Sequence, residues 1–215
     1  MLRSILIPPK FKHLRHEFEN RAFRLLDVGC GNHSPSQTIK YFPNCEYYDL
    51  LRNYNNDEKD FDVMTGQWEM DLTALKFDKI YNDFFDAIVM NHVIEHLYNG
   101  DKVLIGLIPK LRQGGIIYIE FPGFRSTKLP SMRGTLNFFD DSTHCRIWNL
   151  CELYNILLNN GCRILKGGTR RELLRILLTP VMMVYRILKY GHFFASDLWD
   201  LFGFAQFILA RRLVT

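Results

Sequence analysis

The stretch LLDVGCGNHSPSQ, residues 25–37, sets an acid, two glycines and a helix start in one short run. A helix that opens behind a glycine turn offers unpaired N–H groups and a partial positive charge, which attract an anion. Gly29 and Gly31 let the backbone turn and let a ligand approach closely. Ser34 stands where a G-x-G-x-x-G dinucleotide motif has its last glycine, and Asp27, just before the turn, repels a pyrophosphate. The same carboxylate can hold a ligand's ammonium group or organise the loop. The turn therefore suits a partner with both an amine and a carboxylate, as an amino-acid moiety has.

Two more acids extend the pattern. Asp49 stands 18 residues beyond Gly31, at the end of the apolar run CEYYDL. There a carboxylate can accept two hydrogen bonds from ribose hydroxyls, the plain alternative being a solvated turn acid. In MDLTALKF, Asp71 can accept a hydrogen bond from an adenine amino group with Leu72 against the ring, or simply cap a turn. His92, His96 and His144 add side chains whose protons move near neutral pH.

These residues need elements to position them. RLLDVG, CEYYDL, FDAIVMNHV and IIYIEF read as strands, and CRILKG and FAQFILA as two last ones. SPSQTIKYF reads as a helix with Ser34 as cap, Pro35 in its first turn and Gln37 completing a capping box. DKVLIGLIPKL is apolar at helical spacing from an Asp101 cap, and Gly114-Gly115 reads as a turn. A further helix opens at Asn149, with Glu152 three residues on, and stops at Gly161. Strands alternating with helices predict a parallel α/β sheet covered on both faces, with strand exits and ligands on one edge.

Composition agrees. The chain has 215 residues, enough for one compact domain spanning 1–215, and 47% are hydrophobic. Its net charge of +4 is mixed along the chain, which tolerates an anionic partner without demanding one. Five cysteines without a CxxC pair argue for reduced thiols and a cytoplasmic setting. MLRSILIPPKF is too short in apolar residues for a signal peptide, and no run reaches the length of a membrane span. Residues 1–24 form a basic, helix-like segment.

LLDVGCG, the acid ending the second strand, DLTALKF, FDAIVMNHVIEHL and LRQGGIIYIEFPG occur in one order. Together they resemble the class I S-adenosylmethionine-dependent methyltransferases of the small single-domain type, over about residues 24–165. The resemblance implies a Rossmann-like seven-stranded sheet whose last strand, FAQFILA, is antiparallel and inserted beside CRILKG. It implies S-adenosyl-L-methionine as cofactor and no metal. Asp27, Gly29, Cys30 and Gly31 would contact the methionine part, Asp49 and Leu50 the ribose, and Asp71 with Leu72 the adenine. Asn91 and His92 fall where the fourth strand passes the transferred methyl.

Methyl transfer from a sulfonium is an in-line displacement, so the protein mainly aligns the reactants and takes a proton from an oxygen nucleophile. His92 and His144 are the candidate catalytic residues. His144 lies in DDSTHCRIWNL, which resembles the THVRFF segment of methyltransferases acting on quinones and sugars; Asp140 and Asp141 either orient it or are solvated acids. The expected acceptor is a small molecule or glycan, methylated on oxygen, in a setting such as surface-polysaccharide biosynthesis. A metal-assisted RNA 3′-end ribose methyltransferase is the alternative, from Glu95, His96 and His144, with His92 where that family has a glutamate. Hard cations prefer oxygen ligands, and the chain has no basic run with interleaved aromatics, so neither RNA nor DNA is expected. A catalytically inactive binding module is the third reading.

Residues 170–200 form an apolar helical insert before the last strand. A helix apolar nearly all round must cover its own domain, lie on a membrane surface, or pair with a second copy, here through residues 173–194.

Overall fold

The computed structural model describes residues 7–31, 33–51 and 57–214. The start of the basic N-terminal segment, residues 1–6, and Asn32 of the glycine turn lie outside them. In chain order the elements are α1 (Pro9–Phe18), β1 (Phe23–Val28), α2 (Ser34–Tyr41), β2 (Cys45–Leu51), α3 (Glu58–Asp62), β3 (Gly66–Glu69) and β4 (Phe85–Asn91). Then follow α4 (Gly100–Leu107), β5 (Leu111–Pro122), α5 (Leu150–Asn159), β6 (Cys162–Thr169), α6 (Leu173–Tyr190), α7 (Trp199–Phe202) and β7 (Ala205–Arg212).

The seven strands form one sheet in the order β3-β2-β1-β4-β5-β7-β6. β1, β2, β3, β4 and β5 pair in parallel, while β7 runs antiparallel between β5 and β6. FAQFILA is thus the inserted antiparallel strand that the sequence implies. This is the class I Rossmann-like architecture, with its ligand edge at the carboxyl ends of the parallel strands.

Side chains alternate across the sheet and feed two cores. Leu26, Val28, Ile88, Met90, Ile117 and Ile119 face α4 and α5, whose Val103, Leu104, Leu107, Leu153 and Leu157 are fully buried. Leu25, Tyr47, Val89, Ile116 and Tyr118 face the other way, against Phe11, Leu14 and Phe18 of α1. Burying each such side chain contributes about 1.5–3 kcal/mol. The same period of two puts Asp27, Asp49, Asn91 and Glu120 on the α1 side, at or near the strand exits. Register makes Asp27 the neighbour of Asp49 and Asn91 that of Glu120.

Three local expectations need correction. Ser34 is the first residue of α2 rather than its cap; His33 precedes it with φ of 59°, and Ser34's hydroxyl is turned back to Asp27. Its O–H is donated to the buried carboxylate and its oxygen accepts from Lys10, which turns the hydroxyl away from the helix N–H groups. Asp101 lies inside the first turn of α4, behind Asn99, and caps nothing. Gly114 and Gly115 do not end a strand; they form an irregularity within β5, where a Cβ at Gly115 would lie 2.9 Å from two carbonyl oxygens. Asn149 does cap α5, accepting the Glu152 N–H at 2.9 Å.

Trp148 joins α5 to the turn beyond β4. It is fully buried, and its indole N–H donates to the Ile94 carbonyl at 2.9 Å. Trp148→Ala is expected to destabilise the protein by about 3–5 kcal/mol in urea unfolding. Trp148→Phe, which loses mainly the hydrogen bond, should cost nearer about 1 kcal/mol; equal unfolding midpoints for the two variants would contradict this placement.

Candidate active site

The glycine turn leaves β1 at Gly29, whose φ is 72° and whose N–H donates to the Leu50 carbonyl at 2.8 Å. A Cβ there would sit 2.7 Å from Val93 Cγ2, so position and sign of φ both require glycine. At Gly31 an added Cβ meets nothing within 4 Å among the described residues, which leaves space beside the turn within them. His33 Nδ1 lies 2.7 Å from Asp60 Oδ2 and fastens the start of α2 to α3.

Asp27 is buried, and its Oδ2 accepts from Ser34 Oγ at 2.6 Å and Tyr47 OH at 2.7 Å, with Lys10 Nζ at 3.3 Å. Of the two roles open to it, organising the loop is the one built here. The ammonium beside it is the chain's own Lys10, which also donates to Ser34 Oγ at 2.6 Å. Sequence reasoning missed Lys10 and Tyr47 because both reach Asp27 only through the fold.

Asp49 is in the opposite condition. It is fully buried, its Oδ1 accepts the Cys30 N–H at 3.2 Å, and its Oδ2 has no hydrogen-bond partner among the described residues. Burial pushes its carboxyl up to about 7, against the pull of the Cys30 bond. Orphaned buried acceptors are rare and mark a missing donor. A ribose diol supplies such donors, so the residues present fit a nucleoside cofactor. Cys30 and Leu50 contribute backbone groups, while their side chains are buried in the two cores.

Asp71 is exposed just past β3 and caps the turn Leu72–Ala74, accepting from the Thr73 N–H at 2.9 Å and hydroxyl at 2.7 Å. Leu72 is half-buried against the core. Both stand on the ligand edge, two strands from the glycine turn.

Asn91 ends β4 and is half-buried. His92 follows with φ of 54°, its N–H donating to the Glu120 carbonyl at 2.8 Å. Its Nδ1 is 3.1 Å from Glu95 Oε1 and its Nε2 3.2 Å from Glu120 Oε1. Burial opposes charge on this ring, yet the two carboxylates outweigh it and raise the imidazole to about 9. Both ring nitrogens of His92 are thus engaged by carboxylates, an arrangement that favours the charged ring.

Glu120 is the hub of this cluster. Arg170 Nη1 donates to Oε1 at 2.6 Å, Tyr118 OH to Oε2 at 2.5 Å, and Arg170 also bonds Asp200. These cations hold the Glu120 carboxyl well below the usual range in spite of its burial. Trp199 packs on His92 with ring centroids 4.8 Å apart. An acid ending the apolar run IIYIEF was the one sequence signal for this hub.

His144 is nearly closed off, its side chain 5% exposed. Its Nδ1 lies 2.7 Å from the Phe138 carbonyl and must donate to it, so Nε2 carries the lone pair in the neutral ring. Nε2 stands 4.0 Å from Glu95 Oε1 and 3.9 Å from Asp141 Oδ2. Asp140 does not orient the histidine; it accepts N–H groups of Met132, Leu136 and Asn137 and shapes the preceding loop. His96 packs against His144 at 4.8 Å, its Nδ1 2.8 Å from Thr143 Oγ1. Ligand atoms of Glu95, His96 and His144 all lie within 4.8 Å of one another, and Glu95 Oε2 is buried without a partner among the described residues.

A family model described as a methyltransferase domain matches residues 6–166. No curated protein sequence matches the chain. Among solved structures, a SAM-dependent methyltransferase from Archaeoglobus fulgidus is similar with TM-score 0.62 and 22% identity, over 94% of this chain and 91% of that one. Phosphoethanolamine N-methyltransferase 2 of Haemonchus contortus, solved with S-adenosyl-L-methionine, gives TM-score 0.62 at 13% identity, over 95% of this chain and 52% of that one. A geranyl diphosphate methyltransferase solved with SAM gives 0.62 at 15% identity, over 95% and 84%. At such identities the structures share the fold; the family rests on the model that spans most of the chain. The chain belongs to the methyltransferase-domain family and is an S-adenosylmethionine-dependent methyltransferase.

Proposed function

We propose that the protein methylates a hydroxyl of a small-molecule or glycan acceptor, with the cofactor seated over the glycine turn and against Asp49. The observation that carries the cofactor site is the buried Asp49 Oδ2 without a donor, beside the space at Gly31, both among the described residues. In this reading Gly29, Cys30 and Gly31 present backbone to the methionine part, and Asp27 keeps their turn in shape through Ser34 and Tyr47. Asp49 accepts the ribose hydroxyls, and Asp71 and Leu72 flank the adenine. Asn91 stands beside the reacting end. When bound, the cofactor supplies an electrophilic methyl group.

His144 takes the acceptor's proton at Nε2. Its Nδ1–H is fixed on the Phe138 carbonyl, which leaves Nε2 as the acceptor, with Glu95 Oε1 at 4.0 Å and Asp141 Oδ2 at 3.9 Å. A small acceptor is supported by the neighbours solved with phosphoethanolamine and geranyl diphosphate methyltransferase activities in their names. A second reading is favoured by the Glu95, His96 and His144 donor set. A divalent cation held there would lower the acceptor hydroxyl's pKa in place of a histidine base.

Titration calorimetry with S-adenosylhomocysteine tests the cofactor site. Asp49→Ala is expected to weaken binding ~10–100-fold, the worth of a hydrogen bond to a charged group; unchanged affinity would overturn the ribose assignment. The Asp49 carboxyl stands at about 7 in the free protein, and hydroxyl donors favour its charged form. Affinity should therefore rise with pH through about 7 and lose that dependence in Asp49→Asn.

His144→Ala should lower kcat ~10²–10⁴-fold with cofactor affinity unchanged. Full turnover in that variant would remove the base. Activity that vanishes with a chelator and returns with magnesium or zinc would select the metal reading instead.

A further inference from the structure

The insert helix α6 is built inside out. Among residues 173–190 the exposed positions hold leucine, valine, isoleucine, tyrosine and proline, and the sole exposed charge is Lys189 near the end. Leu173, Leu177, Val181, Val184 and Leu188 recur at helical spacing along this face and are 57–82% exposed. The opposite face, turned to the protein, carries Arg175, Thr179 and Arg186 among its apolar residues. Thr179 is the buried one of these, and Arg186 lies 3.7 Å from Asp197. A helix in water orients the other way, so this apolar stripe has an occupant. No helix among the described residues is long and apolar enough to cross a membrane.

Charge says which occupant. Residues 123–139 and 170–200 hold eight lysines and arginines against three acids, more positive than the whole chain's +4. Those three acids are engaged: Asp200 with Arg170, Asp197 with Arg186, and Glu172 with Lys12. Exposed Arg133 and Ile187 line one cleft of about 780 Å³ beside the helix, and exposed Lys189, near the helix end, lies over the rings of Tyr185 and Tyr190. A second copy docked on the same face would set cations against cations. An anionic surface meets both requirements, apolar at the stripe and negative at the rim.

We propose that α6 docks in the plane of an anionic phospholipid bilayer, with its Leu173–Leu188 stripe in the acyl boundary and Arg133 and Lys189 at the headgroups. The stripe extends about 24 Å at the α-helical rise. Both ends of the docking segment are tied to the methyltransferase site. Arg170, before α6, bonds Glu120 at 2.6 Å, and Trp199, after it, packs on His92. Docking would therefore place the acceptor side of the site at the membrane surface. The family match ends at residue 166, before this helix.

Co-sedimentation with vesicles of phosphatidylcholine, alone or mixed with phosphatidylglycerol, tests this. The protein is expected to bind the mixed vesicles and to be released by salt. The exposed-site double variant Leu177→Glu/Val184→Glu should bind them roughly tenfold or more weakly, with unchanged circular dichroism and S-adenosylhomocysteine affinity. Arg133→Glu/Lys189→Glu should also weaken binding and reduce its salt dependence. Failure of the wild type to bind, or equal binding by the variants, would overturn the proposal. So would a wild-type dimer in sedimentation equilibrium without vesicles that Leu177→Glu/Val184→Glu dissociates, since the face would then belong to a second copy. Cofactor binding is measured separately, so loss of the docking role and loss of the methyltransferase reading are distinguishable.

Discussion

Burying a carboxylate is tolerated only where cations and hydrogen-bond donors surround it, and Glu120 is where this protein meets that constraint. Its two oxygens gather Arg170, His92 and Tyr118. One acid thereby joins the exit of β5 to the turn after β4 and to the stem of α6. The His92 ring it holds packs on Trp199, which closes the far end of the same insert. The site edge and the insert are thus one electrostatic assembly, and removing the acid would leave Arg170 to Asp200 alone and His92 to Glu95 alone.

The other acids on that face divide by how fully the chain satisfies them. Asp27 is surrounded by Ser34, Tyr47 and Lys10 and behaves as part of the scaffold. Asp49, its neighbour in register, keeps one oxygen without a donor and is pushed up to about 7 by burial. A fold keeps such a group at a cost in stability, which is the usual mark of a binding position rather than a structural one. His92 and His144 divide in the same way. The first has both nitrogens engaged by carboxylates, while the second is hydrogen-bonded through Nδ1 to a backbone carbonyl.

Much of the fold was legible because it rests on local signals. Alternating apolar residues in FDAIVMNHV and IIYIEF gave strands, Asn149 and Glu152 gave a helix start, and the glycine spacing gave the turn. Ser34 was misread as a cap because sequence distance cannot show that its hydroxyl donates to Asp27. Gly114-Gly115 was misread as a turn because a bulge and a turn need the same glycine freedom. Membership of a methyltransferase family followed from five motifs in order, and the family match over residues 6–166 agrees.

The sequence by itself determined six of the seven strands, the glycine turn, and which acids stand near strand exits, since each follows from neighbours a few residues apart; the short β3 and α3 carry too few residues to show a period. Only the tertiary structure decided which of those acids is saturated and which is left wanting a donor. It also decided that His92 stands between two carboxylates, and that the apolar face of α6 points outward. Those outcomes depend on groups far apart in the chain, Lys10 with Asp27 and Arg170 with Glu120, and on burial that removes water as the alternative partner.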